Sequence, residues 1–171
     1  MNPLEYAKTM ATYNRWMNDR IYAACAKLAD LDRKRDVGAF FKSIHGTLNH
    51  ILVGDRVWLG RFTEVPFTVR SLDQELYADF TQLRAQRHRT DEDIIAWVTS
   101  LSGSEFQGQM SYMSTINPQP RTYPFWLVVV HFFNHQVHHR GQVTALLMQN
   151  GIDPGVTDLI WLPDVQPGAA K

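Results

Sequence analysis

The sequence predicts an all-α protein, a single domain over residues 1–171 built as a four-helix bundle. Two observations lead there. Four long stretches carry apolar residues at three- and four-residue steps, the period of a helix with one buried face. The breaks between them hold the prolines, glycines and charge runs that stop helices, and outside them only one short stretch has strand character. With 171 residues, the chain falls in the one-domain range and can bury about 70% of its unfolded surface without staples.

The first helix is expected from Pro3, a good first-turn residue, to Leu28, with Met10, Met17, Ile21, Ala24 and Leu28 as its buried stripe. Asp30-Leu31-Asp32 and the charges up to Asp36 read as a loop. A second helix is expected from Gly38 to Phe62, using Phe41, Ile44, Leu48, Ile51, Asp55, Trp58 and Phe62, and ending before Pro66. The third opens at Ser71 or Leu72, where Asp73 and Glu75 favour a first turn, and continues through Leu76, Phe80, Leu83, Ile94, Val98 and Leu101. Arg87 and Asp91 sit four apart in its middle, and Thr90 is a second choice for a break. From Gly103 to Pro124 the pattern changes, with a strand or hairpin arm expected over Met110–Ile116. A connection this long usually packs over something. The fourth helix runs from Pro124 to Asn150, stopped by Gly151 and Pro154.

Composition excludes several classes. Seventeen basic and seventeen acidic residues cancel, so the chain shows no electrostatic footprint for nucleic acid or an anionic membrane. Cys25 is the single cysteine, which rules out an internal disulfide and a thiolate metal cluster, and it reads as a small core residue. Glu5, Lys8 and Arg15 stand where a signal peptide needs an apolar run, and Phe125–Val130 is too short to span a bilayer. A cytoplasmic location is the expectation.

Histidines carry the chemistry. Four of the seven, His131, His135, His138 and His139, fall within nine residues of the fourth helix. At about 100° per residue they share an arc of roughly 100°. Residues one turn apart place their Cβ atoms about 5–6 Å apart, which suits two imidazoles closing on one ion. Both His131/His135 and His135/His139 have that spacing. A third ligand must come from another helix, where His45 and His50 lie at opposite margins of the apolar stripe, and wheel geometry does not choose between them. Several buried imidazoles cost free energy unless each finds a partner, and a shared ion satisfies them together. Gln136 occupies the place of the glutamate that an HExxH protease needs, so that class is excluded.

The run His135-Gln136-Val137-His138-His139-Arg140-Gly141-Gln142 resembles the H-x-x-H-H-R-G-Q stretch of the DinB family of damage-inducible-type bacterial proteins. Tyr13-Asn14-Arg15-Trp16-Met17-Asn18-Asp19-Arg20-Ile21 is similar to that family's Y-N-x-W-x-N-x-R signature, and Leu48-Asn49-His50-Ile51 with the later Trp58 to its L-x-H-I segment. The resemblance spans essentially the whole chain. It implies an antiparallel four-helix bundle with a long crossover connection, His50, His135 and His139 as ligands of one divalent ion, and a homodimer. Relatives of this fold include metal-dependent transferases that add low-molecular-weight thiols to electrophiles.

Three nitrogen ligands leave coordination positions open, the arrangement of a catalytic rather than a structural site. The expectation is a metal-dependent enzyme of thiol-transferase or hydrolase type, acting on a small molecule or thiol. The alternatives are a metal binder without turnover in a stress response and a plain helical interaction domain. Imidazole donors suit zinc, nickel, iron and copper, so the sequence does not identify the metal; zinc or nickel is the first expectation and iron the next. No catalytic acid or base is readable. His131 and Gln142 are expected to line the pocket or to hydrogen-bond a ligand; His138 sits at the edge of the arc. Arg140 points away from it and reads as structural or interfacial. Trp16 and Trp58 read as core or pocket wall. Gly141, costly in a helix, suggests a close approach by a neighbour.

Overall fold

A computed structural model describes residues 2–115 and 118–165. The protein is mostly helical, with one small two-stranded sheet. Four long helices form the body: α1 (Pro3–Cys25), α3 (Ile44–Phe62), α4 (Phe80–Ser100) and α5 (Phe125–Gln149). Between the first two lies a short one, α2 (Asp30–Lys34). Helix α1 packs against α4 and α5, and α3 packs against the same two, so the apolar stripes meet in one core. Ile21, Leu48, Leu52, Phe132, Phe133 and Leu147 are fully enclosed there. Each contributes about 1.5–3 kcal/mol by leaving water.

The helix starts follow local chemistry. Asn2 caps α1 by accepting the Leu4 amide at 3.0 Å, with Pro3 in the first turn. The helix ends at Cys25 rather than at Leu28. Residues 30–36, expected as a loop, include α2 instead: Asp30 and Asp32 lie at its start and Arg33 and Lys34 at its end, the order the helix dipole favours. Helix α3 begins at Ile44 and not at Gly38, because Ser43 caps it through Gly46 and the preceding chain turns sharply, with φ of +70° at Gly38 and +66° at Lys42.

The largest departure is at α4. Its expected start at Ser71 or Leu72 moves to Phe80, where Asp79 accepts the Gln82 amide at 2.7 Å. The backbone before it is committed elsewhere. Asn49 Oδ1 accepts the amides of Leu76 and Tyr77 at 2.9 and 3.0 Å, and the carbonyls of Leu72 and Tyr77 accept from side chains of α3. Peptide groups used in this way cannot enter a helical ladder. No break occurs at Thr90, whose hydroxyl bonds back to the Gln86 carbonyl within a continuous α4.

The strand expected over Met110–Ile116 is observed as β1 (Gln109–Met113), paired antiparallel with β2 (Pro120–Pro124) in the register Gln109↔Pro124 and Met113↔Pro120. Ile116 lies outside the described residues. The hairpin leads directly into α5, with Gly151 at φ +73° just beyond its end.

A polar network runs through the core. Arg87 of α4 bonds Asp55 of α3 at 2.5 Å and Asp91 at 2.8 Å, all three nearly inaccessible. Asn14 and Asn18 of α1 donate to Asp91 at 2.9 Å, and Gln136 of α5 donates to Asp55 at 2.9 Å. Arg140 closes the ring by donating to Asn14. Four helices thereby share one set of hydrogen-bonded charges. Among the described residues no helix is long and apolar enough to cross a membrane.

Candidate metal centre

Helices α3 and α5 bring His50, His135 and His139 to one point. His50 Nε2 lies 3.1 Å from His135 Nε2 and 3.2 Å from His139 Nε2, and the three nitrogens all fall within 4.8 Å of one another. Metal–nitrogen bonds of about 2.0–2.1 Å around a tetrahedral ion place neighbouring nitrogens about 3.3 Å apart. The two separations from His50 are close to that value.

The opposite ring nitrogens fix the tautomers. His50 Nδ1 donates to the Leu72 carbonyl at 2.8 Å, and a carbonyl can only accept. His139 Nδ1 donates to Gln142 Oε1, also at 2.8 Å. In their neutral forms both residues therefore present bare Nε2 lone pairs, which face each other. Two lone pairs at this range repel unless a positive charge lies between them. Burial drives the rings to the neutral form: it lowers the His50 pKa to about 4 and that of His135 to about 3, with the neighbouring imidazoles adding to both shifts. His139 is lowered by burial too, against the opposing Gln142 bond. Neutral imidazoles with their outer nitrogens held by carbonyls are what a divalent ion requires. The cluster could hold a metal ion.

Two further residues shape it. A Cβ at Gly54 would stand 2.7 Å from His135 Cε1, so this glycine makes room for the ring. Phe41 stacks on His50 with centroids 3.7 Å apart and covers it. The other candidates lie elsewhere. His45 is buried and donates from Nε2 to the Tyr77 carbonyl, away from the cluster. His138 is exposed, its ring beside that of His139. His131 makes no hydrogen bond to a cluster histidine among the described residues; it packs its edge on Trp58 and lines the adjoining cavities. Gln142 is the residue that orients His139. Arg140 is buried and structural, while Gly141 corrects an expectation: among the described residues a Cβ there meets nothing within 4 Å.

A cavity of about 320 Å³ opens onto the cluster, with His50, His135, Gly54, Arg61 and Tyr112 in its wall. It adjoins a second, of about 280 Å³, lined by Trp58, Tyr112, Tyr123, Leu127, Val128 and His131. The long connection thus supplies one wall of the site. Arg61 and Tyr112 were not singled out by sequence: neither carries a periodic or motif signal, and they meet only once the hairpin folds over α3.

A mostly helical protein with three converging imidazoles beside a cleft defines a class with a candidate metal site. The chain belongs to the DinB family, whose model matches residues 1–170. It is 25% identical over 163 residues to Protein DinB of Bacillus subtilis (strain 168), an alignment covering 90% of this chain and 91% of that one.

Proposed function

We propose that this chain is a metal-dependent DinB-family enzyme of thiol-transferase or hydrolase type, with His50, His135 and His139 holding one divalent ion. The observation that carries the reading is the pair of Nε2 lone pairs of His50 and His139 facing each other at 3.2 Å. The reading takes zinc or nickel as the ion, with iron next, all three being metals that imidazole suits. Such an ion, with positions left open, lowers the pKa of a thiol or water towards neutrality. The chain's own part is to hold the rings. Leu72 and Gln142 fix the outer nitrogens, Gly54 admits His135, and Phe41 keeps water from one side of His50.

A metal binder without turnover is the second reading, favoured by the absence of any carboxylate from the described walls of both cavities. The same proposal takes the long helices as an antiparallel bundle with a crossover, and two copies as a homodimer. The outer face of α5, with Val137, Gly141 and Met148 exposed, supplies apolar surface for such pairing. The reading keeps the cytoplasmic location and the expectation of no nucleic-acid partner.

Elemental analysis of untagged protein is expected to find about one divalent ion per chain. His50→Ala and His139→Ala should lose it, while His45→Ala should keep it. A chelator should lower the thermal midpoint of the wild type, because the ion binds only the folded chain. Metal-free protein that ignores chelator would remove the proposal. Thiol-to-electrophile turnover that disappears in His139→Ala separates enzyme from binder.

A further inference from the structure

Arg61, on the last turn of α3, is a half-buried cation with no acid beside it among the described residues. Its guanidinium lies between two rings, 4.4 Å from the centroid of Trp58 and 4.4 Å from that of Tyr112. Nη2 donates to Thr115 Oγ1 at 2.8 Å and to the Met113 carbonyl at 3.3 Å. Nε and Nη1 have no protein partner among the described residues, and no carboxylate pairs with the group. Burial of this charge is therefore compensated only in part, by two rings and two neutral acceptors. A desolvated cation costs free energy unless an anion or a ring of acceptors meets it, and aromatic faces return only part of that cost. The same arginine lines the cavity that reaches His50 and His135. Beyond Trp58, Tyr112 and His131 the space continues between Tyr123, Leu127 and Val128, an apolar slot.

We propose that this cleft binds a small organic carboxylate, its acid group paired with Arg61 and its apolar body lying between Trp58, Tyr112 and Leu127. The proposal rests on the reading of the histidine cluster as an ion site only in placing the reacting end of the substrate there. The charge balance selects the class. One guanidinium matches one carboxylate, which the free N–H groups of Nη1 can hold through a charge-assisted hydrogen bond while Nη2 stays with Thr115 and Met113. Away from the histidines the described cavity walls hold no lysine and no other arginine, so the Arg61 end matches a single negative charge. The walls suit a flat apolar group, since a ring can stack on the indole of Trp58 or the phenol of Tyr112.

The test uses zinc-loaded protein, phenylacetate and hydrocinnamate as probes, and their neutral primary amides as controls, with binding read by calorimetry. Each acid is expected to bind at least about tenfold more tightly than its amide, the worth of one charge-assisted pair. In Arg61→Gln that preference should fall to about onefold, and in Arg61→Lys part of it should return, with zinc stoichiometry the same in all three proteins. Equal binding of acid and amide by the wild type would overturn the proposal. So would no binding of either acid, or a preference that survives in Arg61→Gln, which would place the carboxylate on the ion. If zinc does not bind at all, the metal reading fails by itself. The acid–amide comparison on metal-free wild type and Arg61→Gln then still decides the role of Arg61.

Discussion

At Gly54 a missing side chain does the positioning. Glycine inside a helix costs about 1 kcal/mol relative to alanine, so its presence in the middle of α3 signals a close neighbour. That neighbour is the His135 ring, 2.7 Å from where a Cβ would stand. Gly54→Ala is expected to leave the metal-free protein folded, since alanine favours the helix, yet to weaken zinc binding by about tenfold or more as the displaced ring misses the ion. Calorimetric titration with zinc checks it; wild-type affinity in the variant would mean that the ring has room to move. Gly141 shows why the residue type alone is not enough. By the same argument it suggested a close approach, and among the described residues it has none. The periodicity that places a glycine in a helix does not say which helix, if any, passes its face.

Among the elements, the segment before α4 is the one the pattern misread, and it matters to the site. Asp73, Glu75 and Leu76 look like a helical first turn, but Asn49 Oδ1 takes the amides of Leu76 and Tyr77, and His50 Nδ1 takes the Leu72 carbonyl. This strap is held by α3 and in turn orients a cluster histidine. Asn49→Ala should free it, costing about 2–3 kcal/mol for the loss of several hydrogen bonds of about 1 kcal/mol each. The amides of Leu76 and Tyr77 should lose protection in hydrogen exchange, and zinc affinity should fall as His50 loses its partner. Asn49→Asp keeps the accepting oxygen but sets a second oxygen against the His45 and Tyr77 carbonyls, to which Nδ2 donates at 3.2 Å, and should restore the protection of those two amides only in part. Local propensity could not reveal the strap, because the competing bonds come from a residue 27 positions away in the chain.

For the whole molecule the unifying feature is the buried network of Asp55, Arg87, Asp91, Asn14, Asn18, Gln136 and Arg140. It ties α1, α3, α4 and α5 together directly behind the histidines, since Gln136 and Arg140 each follow a cluster histidine by one position. Asp55→Ala would leave Arg87 with one buried partner fewer and should cost about 3–5 kcal/mol in urea unfolding. Asp55→Leu combined with Arg87→Met and Asp91→Asn removes all three charges, Asp91 included because it shares Arg87, and should cost less than the single change. The opposite order would mean that the ion pairs of Arg87 themselves, and not the avoidance of a lone charge, stabilise the fold.

The sequence by itself determined the four long helices, the hairpin arm, and the concentration of histidines on one helix face, because periodicity and caps act over a few residues. Motif resemblance added His50 as the partner of His135 and His139. Only the tertiary structure decided where those nitrogens meet, that His45 turns to the Tyr77 carbonyl instead, that Asp55 in an apolar stripe answers an arginine from another helix, and that Arg61 lines the cavity beside the cluster between Trp58 and Tyr112. Each of these is a contact between residues distant in sequence. Its energy depends on burial and on what else occupies the space, and neither quantity exists until the helices have packed.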